Sequence, residues 1–275
     1  MFSIFNRFRR IRIAEVTVPR TFGWVDDPPD TRDLPFSLSG IGSGVTPQGE
    51  IDLTPHFKEV SDQFHLPSCV GNATADLWEA AQSIWKDIPP SQVPHLSRMF
   101  VWWCARNLMN PNQTGNARSG TFNRLAMDVV ARYGICTEVR WPYDTNQATR
   151  RPSIMSFREA SPNRCDKFYC IGDTGNDRVE AVIKALSAKH PVLFGTKVSK
   201  SFVAHKGTAT VTIPRDTIVG GHAMVICGWS KTRNAFRARN SWSTRWGDKG
   251  YFWMNPDFVK WSRTKSLWVP TRGAL

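Results

Sequence analysis

Gln63-Phe64-His65-Leu66-Pro67-Ser68-Cys69 leads directly into Val70, Ala73, Leu77, Ala80, Ala81 and Ile84, apolar residues at the spacing of a helix with one buried face. The helix therefore starts at Cys69, and Pro89-Pro90 ends the element. A thiol at a helix N-terminus faces free backbone N–H groups and the positive end of the helix dipole, both of which favour the thiolate. A lone cysteine carries little weight, because free cysteine is among the commonest buried residues. Three later stretches give this one its meaning. They are Gly220-Gly221-His222-Ala223, Asn240-Ser241-Trp242, and Trp246-Gly247-Asp248-Lys249-Gly250-Tyr251.

Outward from Cys69, residues 96–107 and 122–133 read as two more helices, so the chain to about residue 145 is mostly helical. After Trp141-Pro142-Tyr143-Asp144 the pattern changes. Residues 179–188 keep a helical period, but 192–198, 223–229, 235–240 and 250–254 are short strand-like runs. Phe236, Ala238 and Asn240 alternate with Arg237 and Arg239, which predicts a strand holding Asn240 on the inward face and the arginines outward. The fold class expected is α+β. A basic arm over 1–21 precedes one domain over 22–275, with a helical lobe over about 60–145, a β-rich, barrel-like lobe over about 146–275, and the 22–59 segment crossing. Ligand sites commonly lie in the cleft between such lobes.

The chain has 275 residues, enough to bury a core without staples, and no apolar run long enough to cross a membrane as a helix. Its six cysteines, Cys69, Cys104, Cys136, Cys165, Cys170 and Cys227, form no CxxC pair and no zinc spacing; Cys165 and Cys170 are near enough in sequence to pair locally. The formal charge of +13 is spread along the chain without a nucleic-acid motif, so no specific nucleic-acid partner is expected. In the arm, Phe2, Ile4, Phe5, Phe8, Ile11 and Ile13 interleave with Arg7, Arg9, Arg10 and Arg12. That pattern lacks the apolar core and cleavage site of a secretory signal. It reads as a frayed arm or a strand laid on the domain, or as a segment weakly drawn to an acidic or membrane surface. The expected setting is cytoplasmic, meaning the host cytoplasm or the virion if the source is viral, and not one reached by a classical secretory signal.

Taken together, the four stretches resemble papain-type cysteine peptidases, in the propeptide-poor bacterial and viral (phage) branch. The resemblance runs from about Phe22 to about Val259. It implies that Cys69 is the nucleophile and His222 its acid–base partner. Asn240 orients the imidazole, and the side-chain amide of Gln63 joins the Cys69 N–H in stabilising the oxyanion. It also implies that Trp242 shields the His–Asn bond, with Trp246 as its companion. Ser119 and Gly120 form a small-residue wall that pairs with substrate backbone, and Gly221 and Trp242 also line the substrate site. No metal or cofactor is implied, and the substrate is a protein or peptide. Phe22-Gly23-Trp24-Val25-Asp26-Asp27-Pro28-Pro29-Asp30 resembles the start of the mature enzyme in that branch. Too few residues precede it for a folded pro-domain, so no conventional zymogen is expected.

The chain also departs from the family pattern. Leu66 replaces the cysteine that secreted relatives carry three residues before the nucleophile, which points to a reducing compartment. Pro67 stands where glycine is common and biases Leu66 away from helical geometry. Val70 replaces an aromatic or polar residue. Ser243 replaces a glycine, which is strained if that turn needs a positive φ. Two other readings stay open beside an active endopeptidase: a catalytically weak papain-like protein serving as a binding or structural component, such as part of a virion, and the same chemistry turned to transfer or to a non-protein amide.

Overall fold

The computed structural model describes residues 20–271. The arm read over 1–21 lies, up to residue 19, outside the described residues. In chain order the elements are β1 (Trp24–Val25), β2 (Glu50–Asp52), α1 (Cys69–Lys86), α2 (Arg98–Met109), β3 (Thr121–Phe122), α3 (Asn123–Arg132), α4 (Ile154–Ala160) and β4 (Lys167–Cys170). Then follow α5 (Gly175–Ser187), β5 (Val192–Ser199), α6 (Lys200–Val203), β6 (Thr210–Val211), β7 (Ile218–Ser230), β8 (Ala235–Arg239), β9 (Tyr251–Met254), α7 (Pro256–Lys260) and β10 (Thr264–Thr271).

The helices α1 to α3 pack together beside an eight-stranded sheet of order β4-β10-β5-β7-β8-β9-β6, in which β2 also pairs with β7. All its ladders are antiparallel except β6 with β9. Helices beside a large antiparallel sheet make the α+β architecture expected. β4 and β10 escape the sequence pattern because β10 carries Ser266 at φ +55°, Pro270 and a register shift between Lys265 and Trp268, which break the two-residue period.

α1 starts at Cys69. Its spacing predicts one buried face, yet every residue from Cys69 to Ser83 is buried, because α2 and α3 cover one side and β7 the other. Several polar residues of α1 find partners inside the protein. Glu79 Oε1 accepts from the Leu96 N–H and meets His95 Nδ1 at 2.8 Å. Asn72 Nδ2 donates to Ser68 O at 3.0 Å.

Asp76 makes the decisive contact, taking Arg239 Nε at 2.8 Å across the seam between α1 and β8. The arginine also donates to Lys58 O, Glu59 O and Tyr251 Oη. The outward placement expected for Arg239 is thus corrected. It is 1% exposed, because the segment before α1 and α1 itself cover that side of β8.

Removing one partner of so buried a pair strands the other, at a cost of about 3–5 kcal/mol. Asp76→Ala is expected to lower the urea midpoint accordingly, with little change in the slope. Ser243 sits at φ +59°, the left-handed conformation that its replacement of glycine put in question. Ser243→Gly is expected to raise stability by about 1 kcal/mol in the same titration.

Candidate active site

Cys69 sits in the first turn of α1. The side chain of the preceding Ser68 does not cap the helix; it meets the Tyr143 hydroxyl and accepts from Asn72 Nδ2. The free N–H groups of this turn stay available, and that of Val70 faces the Cys69 sulfur together with the Ala223 N–H from β7.

On β7, His222 Nε2–H donates to Asn240 Oδ1 at 2.7 Å. That oxygen also accepts the Ser241 N–H at 2.7 Å, which fixes the amide. The tautomer leaves Nδ1 as the ring's basic nitrogen, buried and without a hydrogen-bond partner. Trp242 stacks on the imidazole with centroids 4.5 Å apart and planes at 26°, and Trp246 meets Trp242 edge-on at 5.3 Å. Gln63 is held by its backbone N–H on Ser241 O at 2.9 Å, while its Oε1 accepts from Ser241 Oγ at 2.7 Å. Its amide nitrogen is thereby turned to Leu66 O at 2.9 Å and Thr21 O at 3.3 Å. Pro67 is buried beneath the Gly23 backbone.

The groove beside these groups is filled by the chain itself. Residues 20–25 run through it as a strap, with β1 pairing in parallel with β3 and the Thr121 N–H donating to Gly23 O at 2.8 Å. The N–H groups of Gly23 and Trp24 face the Cys69 sulfur. Phe22 packs edge-on to both His222 and Trp242. Arg20 pairs with Asp62 at 2.7 Å and reaches Trp242 O at 3.4 Å.

Of the wall residues, Gly120 and Gly221 both lie against the strap. A Cβ on Gly120 would come within 2.1 Å of Gly23 O, and one on Gly221 within 2.3 Å of Trp24 O. Ser119 is instead used within its own loop, its hydroxyl donating to Asn116 O at 3.0 Å. The strap is what sequence reasoning missed; Phe22-Gly23-Trp24 read as the start of the domain, and only the facing glycines hinted at a close backbone approach. His65 is exposed beside Tyr143, while His56, His95 and His190 bond to Ser83, Glu79 and Pro270 O. Cys165 and Cys170 are free thiols, and among the described residues no group of three or more His, Cys, Asp or Glu is placed to hold a metal.

Covering the groups changes their chemistry. Cys69 and His222 are both 0% exposed. Burial pushes the Cys69 thiol up, against the backbone N–H groups that favour the thiolate. Burial pulls His222 down to about 4, with Asn240 opposing and the Arg20 charge adding to the fall. Burial thus draws both groups, the thiol and the imidazole, towards their neutral forms.

Comparisons with known proteins bear on the family and the fold. The profile described as papain family cysteine protease matches residues 50–266. The chain belongs to the papain family of cysteine proteases. It is 30% identical over 266 residues to an uncharacterised peptidase C1-like protein of Acanthamoeba polyphaga mimivirus, a match that spans 88% of this chain and 84% of that one. It is 26% identical to pro-cathepsin H of Bos taurus over 70% of this chain and 54% of that protein. The crystal structure of xylellain, a cysteine protease from Xylella fastidiosa, superposes with a TM-score of 0.79 at 26% identity, covering 93% of this chain and 98% of that one. The protein is accordingly a papain-like cysteine peptidase acting on protein or peptide substrates, with relatives in the viral and bacterial branch.

A histidine held near 4 when folded and at its ordinary 6.5 when unfolded contributes stability that is complete above pH 6.5 and lost as the pH falls towards 4. At about 1.4 kcal/mol per unit the loss is on the order of 3 kcal/mol. Denaturant titrations from pH 7 to 4 should show a steeper decline for the wild type than for His222→Gln.

Proposed function

We propose that Cys69, His222, Asn240 and Gln63 are the catalytic set of this peptidase, and that the chain with residues 20–25 in the groove is its latent form. The observation that carries the proposal is the orientation of the strap. Against the nucleophilic sulfur it places the N–H groups of Gly23 and Trp24, while the Gly23 carbonyl is taken up by Thr121. The strap thus fills the site while its own backbone is tied to β3 through Gly23 O.

Once the strap leaves, water returns to the groove and the burial that keeps both groups neutral is relieved. His222 Nδ1 then takes the Cys69 proton, and Asn240 Oδ1 holds the imidazolium through Nε2–H. The thiolate adds to the substrate carbonyl, and the oxygen that gains charge is received by the Cys69 N–H and Gln63 Nε2. His222 returns the proton to the leaving amine, which departs as the C–N bond breaks and leaves a thioester. A water molecule, deprotonated by the imidazole, then adds to that thioester; the C–S bond breaks, and the released thiolate recovers its place beside His222.

A cytoplasmic, reducing setting is part of the proposal, supported by the free thiols of all six cysteines. A weak attraction of the arm to an acidic or membrane surface is supported by Arg7, Arg9, Arg10 and Arg12.

Intact-mass labelling by an epoxysuccinyl thiol probe tests the reading. The wild-type chain should label slowly at Cys69. Trp24→Ala should label roughly a hundredfold faster, because losing a buried indole weakens the strap by on the order of 3 kcal/mol. In that background Gln63→Ala should lower kcat about a hundred- to a thousand-fold. Labelling of Trp24→Ala no faster than that of the unfolded chain would overturn the catalytic reading in favour of a papain-like binding protein.

A further inference from the structure

We propose that Lys197 and Lys265 form a subsite for an acidic residue beside the pocket that holds Trp24. The peptidase would then favour peptides in which an aromatic residue has an Asp or Glu two positions away. The inference rests on the catalytic reading above and extends it to a substrate class.

The strap acts as a ligand carried by the chain, so its side chains report what the groove accepts. Trp24 is buried against a floor that has no room for a side chain: a Cβ on Gly195 would lie 1.9 Å from the indole ring. In the register of β5 with β10, Gly195 is opposite Lys265, and Lys197 follows Gly195 by the two-residue period of a strand. Glycine and both lysines therefore share one face. Small residue and charges together make an apolar slot with a basic rim.

Each part of the rim meets the strap. Lys197 Nζ lies 5.0 Å from the centroid of the Trp24 ring, within reach of the π face, which favours an aromatic occupant over an aliphatic one. Asp26, two residues beyond Trp24, places Oδ1 at 3.6 Å from Lys197 Nζ and Oδ2 at 3.2 Å from Lys265 Nζ. Among the described residues it is the only carboxylate paired with either lysine. When the strap departs as far as Asp26, this carboxylate goes with it. The two ammonium groups are left on one face beside an open aromatic slot, and an incoming peptide with the same pair of side chains restores both contacts.

The test uses the full chain carrying Trp24→Ala and Asp26→Ala, so that no internal ligand competes. It measures kcat/KM on peptides that differ at one residue, Asp, Asn or Lys, placed two positions before or after a tryptophan. Both orders are included because a substrate can run along the wall in either direction. In one order the Asp peptide should exceed the Asn peptide by about two- to fivefold for each lysine engaged, mostly through KM, since the rim is partly exposed. The preference should shrink as salt is raised. Lys197→Glu with Lys265→Glu should reverse it in favour of the Lys peptide. Should that double variant not fold, the single changes to Gln, each expected to remove about half of the preference, carry the test. Rapid labelling of Cys69 with equal kcat/KM on all the peptides would overturn the subsite and leave the catalytic reading standing. Absence of both labelling and cleavage would overturn the two together.

Discussion

The seam between α1 and the sheet is the constraint on which the rest of this molecule depends. The proposed nucleophile, Cys69, stands on a helix, whereas His222 and Asn240 stand on or beside strands β7 and β8, more than 150 residues away in sequence. Their chemistry needs these groups held to a fraction of an ångström. The buried Asp76–Arg239 pair spans that seam at 2.8 Å, and the backbone of Gln63 is tied to Ser241 at 2.9 Å. Helix start, oxyanion loop and strand end are thus fastened into one frame.

The same seam makes the strap effective. A groove shaped to hold extended backbone beside a thiol will hold any extended backbone, including the chain's own. Phe22 and Trp24 supply the buried area, Arg20 ties one end to Asp62, and the pairing of Gly23 with Thr121 supplies the backbone match. Covering the groove does more than exclude substrate. By drying Cys69 and His222 it disfavours the charged form of each, and the nearby Arg20 charge reinforces the effect on the imidazole. In the proposed latent form, steric and electrostatic effects therefore have one cause.

Local signals in the sequence are strongest where a residue type has few uses. The helix after Cys69 is legible because its apolar residues keep one period, and Gln63, His222 and Asn240 are legible because of their order around it. Ser243 could be recognised as a strained position because glycine's backbone freedom is lost there, and its φ of +59° bears this out. Periodicity misleads where burial is complete. Arg239 has the alternation of an outward residue, yet lies inside because another part of the chain covers that face. The polar residues of α1 gave no hint that both sides of the helix are packed, since their partners come from distant segments.

By itself, then, the sequence determined the α+β class, the helix that begins at the cysteine, and the four side chains proposed for thiol chemistry. These depend on local backbone preferences and on the order of a few chemically distinctive residues. Only the tertiary structure decided that the groove is closed by residues 20–25, that burial there disfavours the charged forms of Cys69 and His222, and that Gly195, Lys197 and Lys265 share one face around Trp24 and Asp26. Each of those depends on which distant segments meet and on how much water they exclude, and neither quantity has a local signature along the chain.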